Sequence, residues 1–193
     1  MTVSRRLKKV PEKMNNSASA FHLIADLTEE KGVTCILIGG FAVNHYKVTR
    51  QTTDVDFLTT KAYFEKIADS LEKAGYKKDL VQETFIQLKG SESLLMDMDF
   101  MFVDEGTLKK IQDRGVGVKI AGRSFTVPAL HDLLALKLHS IKFNPKIRMN
   151  TDFPDIINLM RANDVNVKEK KFKELCLRFG THEVYEKLLE AFR

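Results

Sequence analysis

ILIGGFAVNHYKVTRQTTDVDFL, residues 36–58, decides the reading of this chain. The apolar, β-branched run VTCILI (33–38) reads as a buried strand that runs straight into Gly39-Gly40. FAVNHY (41–46) then reads as a short helix. Thirteen residues separate Gly40 from Asp54-Val55-Asp56, in the alternating segment DVDFL (54–58). On a strand, residues i and i+2 point to the same side, so Asp54 and Asp56 present two carboxylates side by side. Bare carboxylates at that distance raise each other's pKa, whereas a divalent cation turns them into ligands. Mg²⁺ prefers oxygen ligands, typically one or two carboxylates plus substrate phosphates. The glycines supply the other half. Without Cβ they let a phosphate chain approach the backbone, and the helix that follows offers free N–H groups.

A third carboxylate is expected on a neighbouring strand. LLMDMDFMF (94–102) offers Asp97 and Asp99, again on one face, and an acid in so apolar a run needs a partner or a function. Asp99 is favoured because DFMFV continues as strand beyond it, with Asp97 as the alternative. In a two-metal site the ions lie about 3.5–4 Å apart, bridged by Asp54 and Asp56. Taken singly, each feature has a plain structural reading. Gly-Gly can be a tight turn, Asp-x-Asp a solvated loop edge, and Asp97 and Asp99 the wet face of a strand. Their order and spacing make the combination specific for phosphoryl or nucleotidyl transfer.

Outward from this stretch, Ser17 or Ser19 is expected to cap a helix with Phe21, Ile24 and Leu27 on its buried face, ended by Gly32. Residues 61–74 form a second helix, stopped by Gly75. TFIQLKG (84–90) and SLLMDMDFMFV (93–103) read as a hairpin around Gly90, 107–114 as a short helix, and VGVKI with RSFTV as a second hairpin around Gly122. After Pro128, suited to a helix's first position, the chain reads as helix throughout: 129–143, about 152–162, 169–179 and 182–192. Strands come first and helices follow. The fold class is α+β, a mixed sheet flanked by helices with a helical C-terminal part. The expected division is a basic arm (1–16), a core (17–126) and a helical subdomain (127–193).

The net charge of +5 sits almost wholly in the arm, where residues 1–14 carry +4 and the rest of the chain +1. The pI of 9.1 therefore does not mark a basic face on the body. The arm is either a phosphate-binding extension or a solubilising tail. Two distant cysteines, Cys35 and Cys176, exclude a disulfide framework, and Cys35 in a core strand reads as inert. No apolar run approaches a membrane span, and no apolar segment follows the arm as in a signal peptide, so a cytoplasmic protein is expected. His45, His131 and His139 make no metal-binding pair, and Met96, Met98 and Met101 read as packing.

The pattern of Gly-Gly, thirteen residues, Asp-x-Asp and a later apolar-flanked Asp resembles the nucleotidyltransferase superfamily that includes DNA polymerase beta. More narrowly, LIGGFAVNHY…TRQTTDVDF resembles the AbiEii-like nucleotidyltransferases of abortive-infection and toxin–antitoxin systems, which carry Gly-Gly and then an Arg-x-Thr-x-Asp-x-Asp-like run, here Arg50 to Asp56. The segment 127–160 is similar to the family's Lys-Leu helix, basic residue and Asp-x-x-Asp helix, which places Lys137, Arg148, Asp152 and Asp155 at matching positions. From residues alone, Lys137 can also be a solvated helix position and Asp152 an N-cap. The resemblance covers about 33–162 and implies a nucleotidyltransferase fold with Mg²⁺ and an NTP. Asp54, Asp56 and Asp99 would hold the metals, and Gly39 and Gly40 the triphosphate. Lys137 with Arg50 or Arg148 would neutralise phosphate charge. The acceptor it implies is an RNA or tRNA end, a small molecule or a protein side chain, with a cognate antitoxin as partner. The competing reading is an inactive module that keeps the fold and binds a nucleotide or a partner protein. The intact aspartates argue against it.

Overall fold

A computed structural model describes residues 16–91 and 95–193. The basic arm up to residue 15 lies outside them. The described chain opens with α1 (Asn16–Lys31), β1 (Ile36–Leu37), α2 (Gly39–His45), β2 (Asp54–Thr59) and α3 (Lys61–Lys73). Then come β3 (Tyr76–Val81), β4 (Phe85–Gly90), β5 (Asp97–Phe102), α4 (Glu105–Arg114), β6 (Val116–Ile120) and β7 (Arg123–Val127). The rest is helical: α5 (Leu130–Phe143), α6 (Pro145–Arg148), α7 (Asp152–Ala162), α8 (Lys170–Phe179) and α9 (His182–Ala191). The expected α+β class holds.

Five strands form one mixed sheet in the order β1-β2-β5-β4-β3, while β6 and β7 pair separately. β2 and β5 run parallel, and their register sets Asp54 beside Asp97 and Asp56 beside Asp99. Both strands alternate. Val55, Phe57, Met98 and Phe100 are fully buried, and the aspartates take the opposite, half-exposed face. Period-two alternation therefore does two jobs at once: the apolar positions glue β2 and β5 to the helices, and the same pleat delivers the acids to one surface. On the core side, Phe57 stacks on Phe100 with centroids 5.5 Å apart, and Phe64 of α3 lies 5.0 Å from Phe100. Burying such a ring contributes about 1.5–3 kcal/mol. The same core runs on through Leu133, Leu134 and Leu138 of α5 and Ile156 and Leu159 of α7. The helices after Pro128 are thus packed against the strand-bearing half of the chain. No helix among the described residues is long and apolar enough to cross a membrane.

Several elements differ from the sequence expectation, each for a local reason. β1 is two residues long rather than six. The backbone bonds of 33–35 go elsewhere: the Val33 amide donates to the Thr28 carbonyl, and the Thr34 carbonyl accepts from the Thr59 hydroxyl. α2 starts at the glycines themselves. α1 begins at Asn16, so Ser17 and Ser19 lie inside it. β5 starts at Asp97, later than expected, because the Met96 carbonyl accepts from Tyr76 Oη instead of joining the ladder. Part of the expected 93–103 strand, residues 93 and 94, lies outside the described residues. Pro128 precedes the helix rather than opening it. Ala129 is the N-cap of α5, and the Pro128 carbonyl accepts from Tyr46 Oη at 2.7 Å. Sequence periodicity missed β3, a charged edge strand buried only at Tyr76, and α6, a single turn begun by Pro145.

Candidate active site

The cleft lies between the acid-bearing face of β2 and β5 and one side of α5. Gly39, Asp56, Asp99, Lys137, Ser140, Arg148 and Asp152 line its polar part. Phe85, Met101, Leu133 and Leu136 line its apolar part. Met101, expected only to pack, is therefore a wall of the cleft.

Asp54, Asp56 and Asp99 each offer an oxygen within 4.8 Å of the others. Asp97, the alternative third acid, lies outside that group. Its Oδ1 accepts from the Gly90 amide at 3.1 Å, which ties the start of β5 to the end of β4. Thr52 holds Asp54: its hydroxyl lies 2.9 Å from Asp54 Oδ1 and 3.1 Å from the Asp54 carbonyl. Gln87, directly across the β4–β5 ladder, donates to Asp99 Oδ2 at 3.4 Å. Asp99 Oδ1 is buried with no hydrogen-bond partner among the described residues. An orphaned buried carboxylate oxygen is costly unless something outside the protein completes it.

The electrostatics agree. Burial, then the charges of Asp54 and Asp99, push the Asp56 carboxyl up to about 7, against the pull of Lys137 and Arg50. Burial and Asp54 push Asp99 up to about 6, opposed by the Gln87 hydrogen bond and Arg148. The metal-free site therefore holds protons that the unfolded chain releases near pH 4. Between about pH 4 and about pH 7 the folded state binds more protons than the unfolded one, so its stability falls as pH rises through that window. The expected result is a urea midpoint that drops across this window without divalent cations and recovers when one is added. A midpoint that rises with pH and ignores the cation would contradict it. An all-oxygen donor set, mutual repulsion and an orphaned lone pair fit a hard divalent cation.

Gly39 makes the close approach possible. It adopts φ +60°, and a Cβ there would fall 1.8 Å from Asp56 Oδ2. Gly40 is packed on the Thr52 side chain in the same way, with a Cβ arriving 2.7 Å from Thr52 Cβ. The turn, the threonine and the acids are thus one packed unit.

On the basic side, two alternatives that the residues left open are decided. Lys137 is buried, not solvated, and its Nζ donates to Asp152 Oδ1 at 2.9 Å and to Asp155 Oδ2 at 2.7 Å. Asp152 is not an N-cap either. Thr151 holds that place, and Asp152 turns inward from the first turn of α7. Arg50 Nη1 donates to Asp155 Oδ2 at 3.0 Å, and Arg148 Nη1 lies 3.8 Å from Asp152 Oδ2. Asn44 clamps the Arg50 backbone through both its amide N–H and carbonyl. Two carboxylates and three cations therefore form one network with a net charge of +1 opposite the three acids. Thr52 is the threonine of the Arg-x-Thr-x-Asp-x-Asp-like run, whereas Gln87 and Asn44 carry no motif of their own, and only the β4–β5 register and the α2–β2 loop reveal them.

The family model for the nucleotidyl transferase AbiEii toxin of type IV TA systems matches residues 23–193. Among solved structures, ANT(2″)-Ia in complex with adenylyl-2″-tobramycin is similar at a TM-score of 0.61 and 14% identity, over 84% of this chain and 95% of that one. The lincosamide antibiotic adenylyltransferase LnuA, lincomycin-bound, is similar at 0.53 and 19%, over 77% and 99%. An antigenic nucleotidyltransferase-like protein from Paracoccidioides brasiliensis is similar at 0.53 and 14%, over 91% and 93%. At such identities the likeness speaks for a shared fold. No curated protein matches the sequence.

Proposed function

Because the chain belongs to the AbiEii nucleotidyl transferase family and is a nucleotidyltransferase, we propose that it moves an NMP from an NTP to an acceptor hydroxyl or phosphate with Mg²⁺, in the cytoplasm. The observation that carries this reading is the trio Asp54, Asp56 and Asp99, packed against Gly39, with an Asp99 oxygen left unpartnered. Asp54, Asp56 and Asp99 would hold Mg²⁺, which when bound neutralises triphosphate charge and favours loss of pyrophosphate. Gly39 and Gly40 open α2, where the first-turn N–H groups have no intrahelical acceptor and can face phosphate oxygens. Lys137 has three Nζ hydrogens and gives two to Asp152 and Asp155, so the third is left for a phosphate. Arg148 stands beside it at the cleft wall. The acceptor oxygen attacks the α-phosphorus in line, the bond to the bridging oxygen of pyrophosphate breaks, and Asp99 takes the acceptor's proton. Residues 17–126 act as the catalytic core and 127–193 as the helical subdomain that closes it.

The acceptor class stands among an RNA or tRNA end, a small molecule and a protein. The antibiotic ligands named for ANT(2″)-Ia and LnuA make a small molecule one reading. The family's toxin–antitoxin description makes an antitoxin a candidate partner. The test is incubation with each α-labelled NTP and Mg²⁺ in the presence of total RNA, lysate protein and small metabolites, with and without chelator. The expected result is chelator-sensitive label in one fraction. No label with any NTP in any fraction would overturn the proposal.

A further inference from the structure

Of the three cations expected on phosphate, Lys137 and Arg148 line the cleft and Arg50 does not. The Arg50 guanidinium is turned towards α7 instead. Its Nη1 donates to Asp155 Oδ2 at 3.0 Å, the same oxygen that accepts from Lys137 Nζ at 2.7 Å. The side chains differ in burial: Lys137 is 6% exposed, Asp155 8% and Arg50 35%. One carboxylate oxygen therefore joins an inner cation at the cleft to an outer one nearer the solvent. The backbone fixes Arg50 in this place. Asn44, in the last turn of α2, accepts from the Arg50 N–H at 2.8 Å through Oδ1 and donates to the Arg50 carbonyl at 2.9 Å through Nδ2. The clamp closes the connection 45–49, in which Lys47 takes φ +63°. Within it the Tyr46 carbonyl accepts at 3.0 Å from Nδ2 of Asn163, the C-cap of α7. The α2–β2 loop is thus tied to α7 twice, at Asn163 and at Asp155.

The charges say what this placement does. Without Arg50, Lys137 would face Asp152 and Asp155 as one positive charge against two, with Arg148 no nearer than 3.8 Å to Asp152. An ammonium outnumbered in this way has little surplus charge to offer a triphosphate. Arg50 draws on one of the two carboxylates, which leaves the group around Lys137 positive on its cleft side. Each cation suits its position. The guanidinium is always charged and planar, so it makes a steady outer counter-charge. The ammonium has three N–H donors, so it serves two carboxylates and keeps one hydrogen for a third acceptor.

We propose that Arg50 is a positioning residue that touches no phosphate: it balances Asp155 so that the third Nζ hydrogen of Lys137 stays available to the NTP triphosphate, and Asn44 holds it there. The proposal rests on the transfer reading above for the ligand that Lys137 meets.

The experiment is a double-mutant cycle on the full chain. Affinity for a fluorescent NTP analogue with Mg²⁺ and kcat/KM for NMP transfer are measured, with melting curves to follow the fold. The proteins are wild type, Arg50→Met, Asp155→Asn, Arg50→Met/Asp155→Asn, Arg50→Lys, Asn44→Ala and Asn44→Ala/Arg50→Met. Arg50→Met is expected to weaken analogue binding about tenfold, the worth of one charged hydrogen bond. Adding Asp155→Asn removes the excess negative charge and leaves Lys137 a neutral acceptor. It is expected to recover most of that loss, although the double variant has one ion pair fewer. Arg50→Lys keeps the charge and is expected to bind nearly as well as wild type. Asn44→Ala is expected to weaken binding about threefold, the size of a modest hydrogen bond. In combination with Arg50→Met it is expected to add nothing, and kcat/KM is expected to follow the binding throughout. Equal losses for Arg50→Met with and without Asp155→Asn would overturn the proposal, because a direct phosphate contact or simple structural damage gives that result. Unchanged binding in Arg50→Met would overturn it too, as would Arg50→Lys no better than Arg50→Met, or a wild type that binds no analogue. A further loss on adding Asn44→Ala to Arg50→Met would overturn the part given to Asn44. Recovery in the double variant of a protein that transfers no label would uphold the role of Arg50 and sink the transfer reading. Transfer without recovery would do the reverse.

Discussion

Asp54→Asn/Asp56→Asn is expected to lower NMP transfer at least about a thousandfold, while leaving the metal-free fold as stable as wild type or more so. The size follows from removing two of three carboxylates that hold a cation: several kcal/mol of transition-state stabilisation vanish, and about 4 kcal/mol is a factor of a thousand. The sign on stability follows from the same geometry. After burial, Asp54 raises both Asp56 and Asp99, and Asp99 raises Asp56 further, so neutral amides at 54 and 56 relieve a repulsion that the folded state otherwise carries at neutral pH. Gly39→Ala is the sharper form of this prediction, because it removes no carboxylate. Its Cβ would sit 1.8 Å from Asp56 Oδ2, and φ +60° is strained for alanine. It is expected to lose transfer to a similar extent by displacing Asp56. Steady-state assays with labelled NTP, paired with urea melts, check both. Activity within tenfold of wild type in either variant would contradict the account.

Lys137→Met is expected to be the most destabilising single change near the cleft. It keeps the volume of a buried side chain but leaves Asp152 and Asp155 facing each other with only Arg50 and the distant end of Arg148 as counter-charges. Breaking a buried pair from one side costs about 3–5 kcal/mol. In a chain of this size that is a fall in Tm of roughly 6–20 °C. The triple variant Lys137→Met/Asp152→Asn/Asp155→Asn removes the uncompensated charge and is expected to recover much of the loss. Melting of all three proteins by circular dichroism decides it. A single variant within about 2 °C of wild type would show that the lysine is not the keystone of this network.

What could be read from residues was whatever chemistry and periodicity state locally. Gly39-Gly40, Asp54-Val55-Asp56 and the preference for Asp99 over Asp97 all followed from spacing and strand alternation. The structure brings Asp54, Asp56 and Asp99 together. What could not be read depends on partners far apart in the chain. Asp152 looked like a helix cap because a cap is a local pattern, whereas its true partner is Lys137, fifteen residues earlier on another helix. Gln87 became visible only when the β4–β5 register set it opposite Asp99. β3 stayed hidden because an edge strand with five exposed positions out of six has no apolar period to detect. Pro128 misled for a similar reason. Its carbonyl is taken by Tyr46, so the helix starts past it.

The most direct test of the central claim is calorimetric titration of Mg²⁺, with a non-hydrolysable NTP analogue present, into wild type, Asp56→Asn and Gly39→Ala. The runs are made in buffers of different ionisation enthalpy near pH 6.5, about where Asp56 and Asp99 hold their protons. The account predicts saturable binding with net proton release in wild type, and little or no binding in the two variants. Equal binding by all three proteins, or binding with no proton release, would contradict the assignment of Asp54, Asp56 and Asp99 as the cation site.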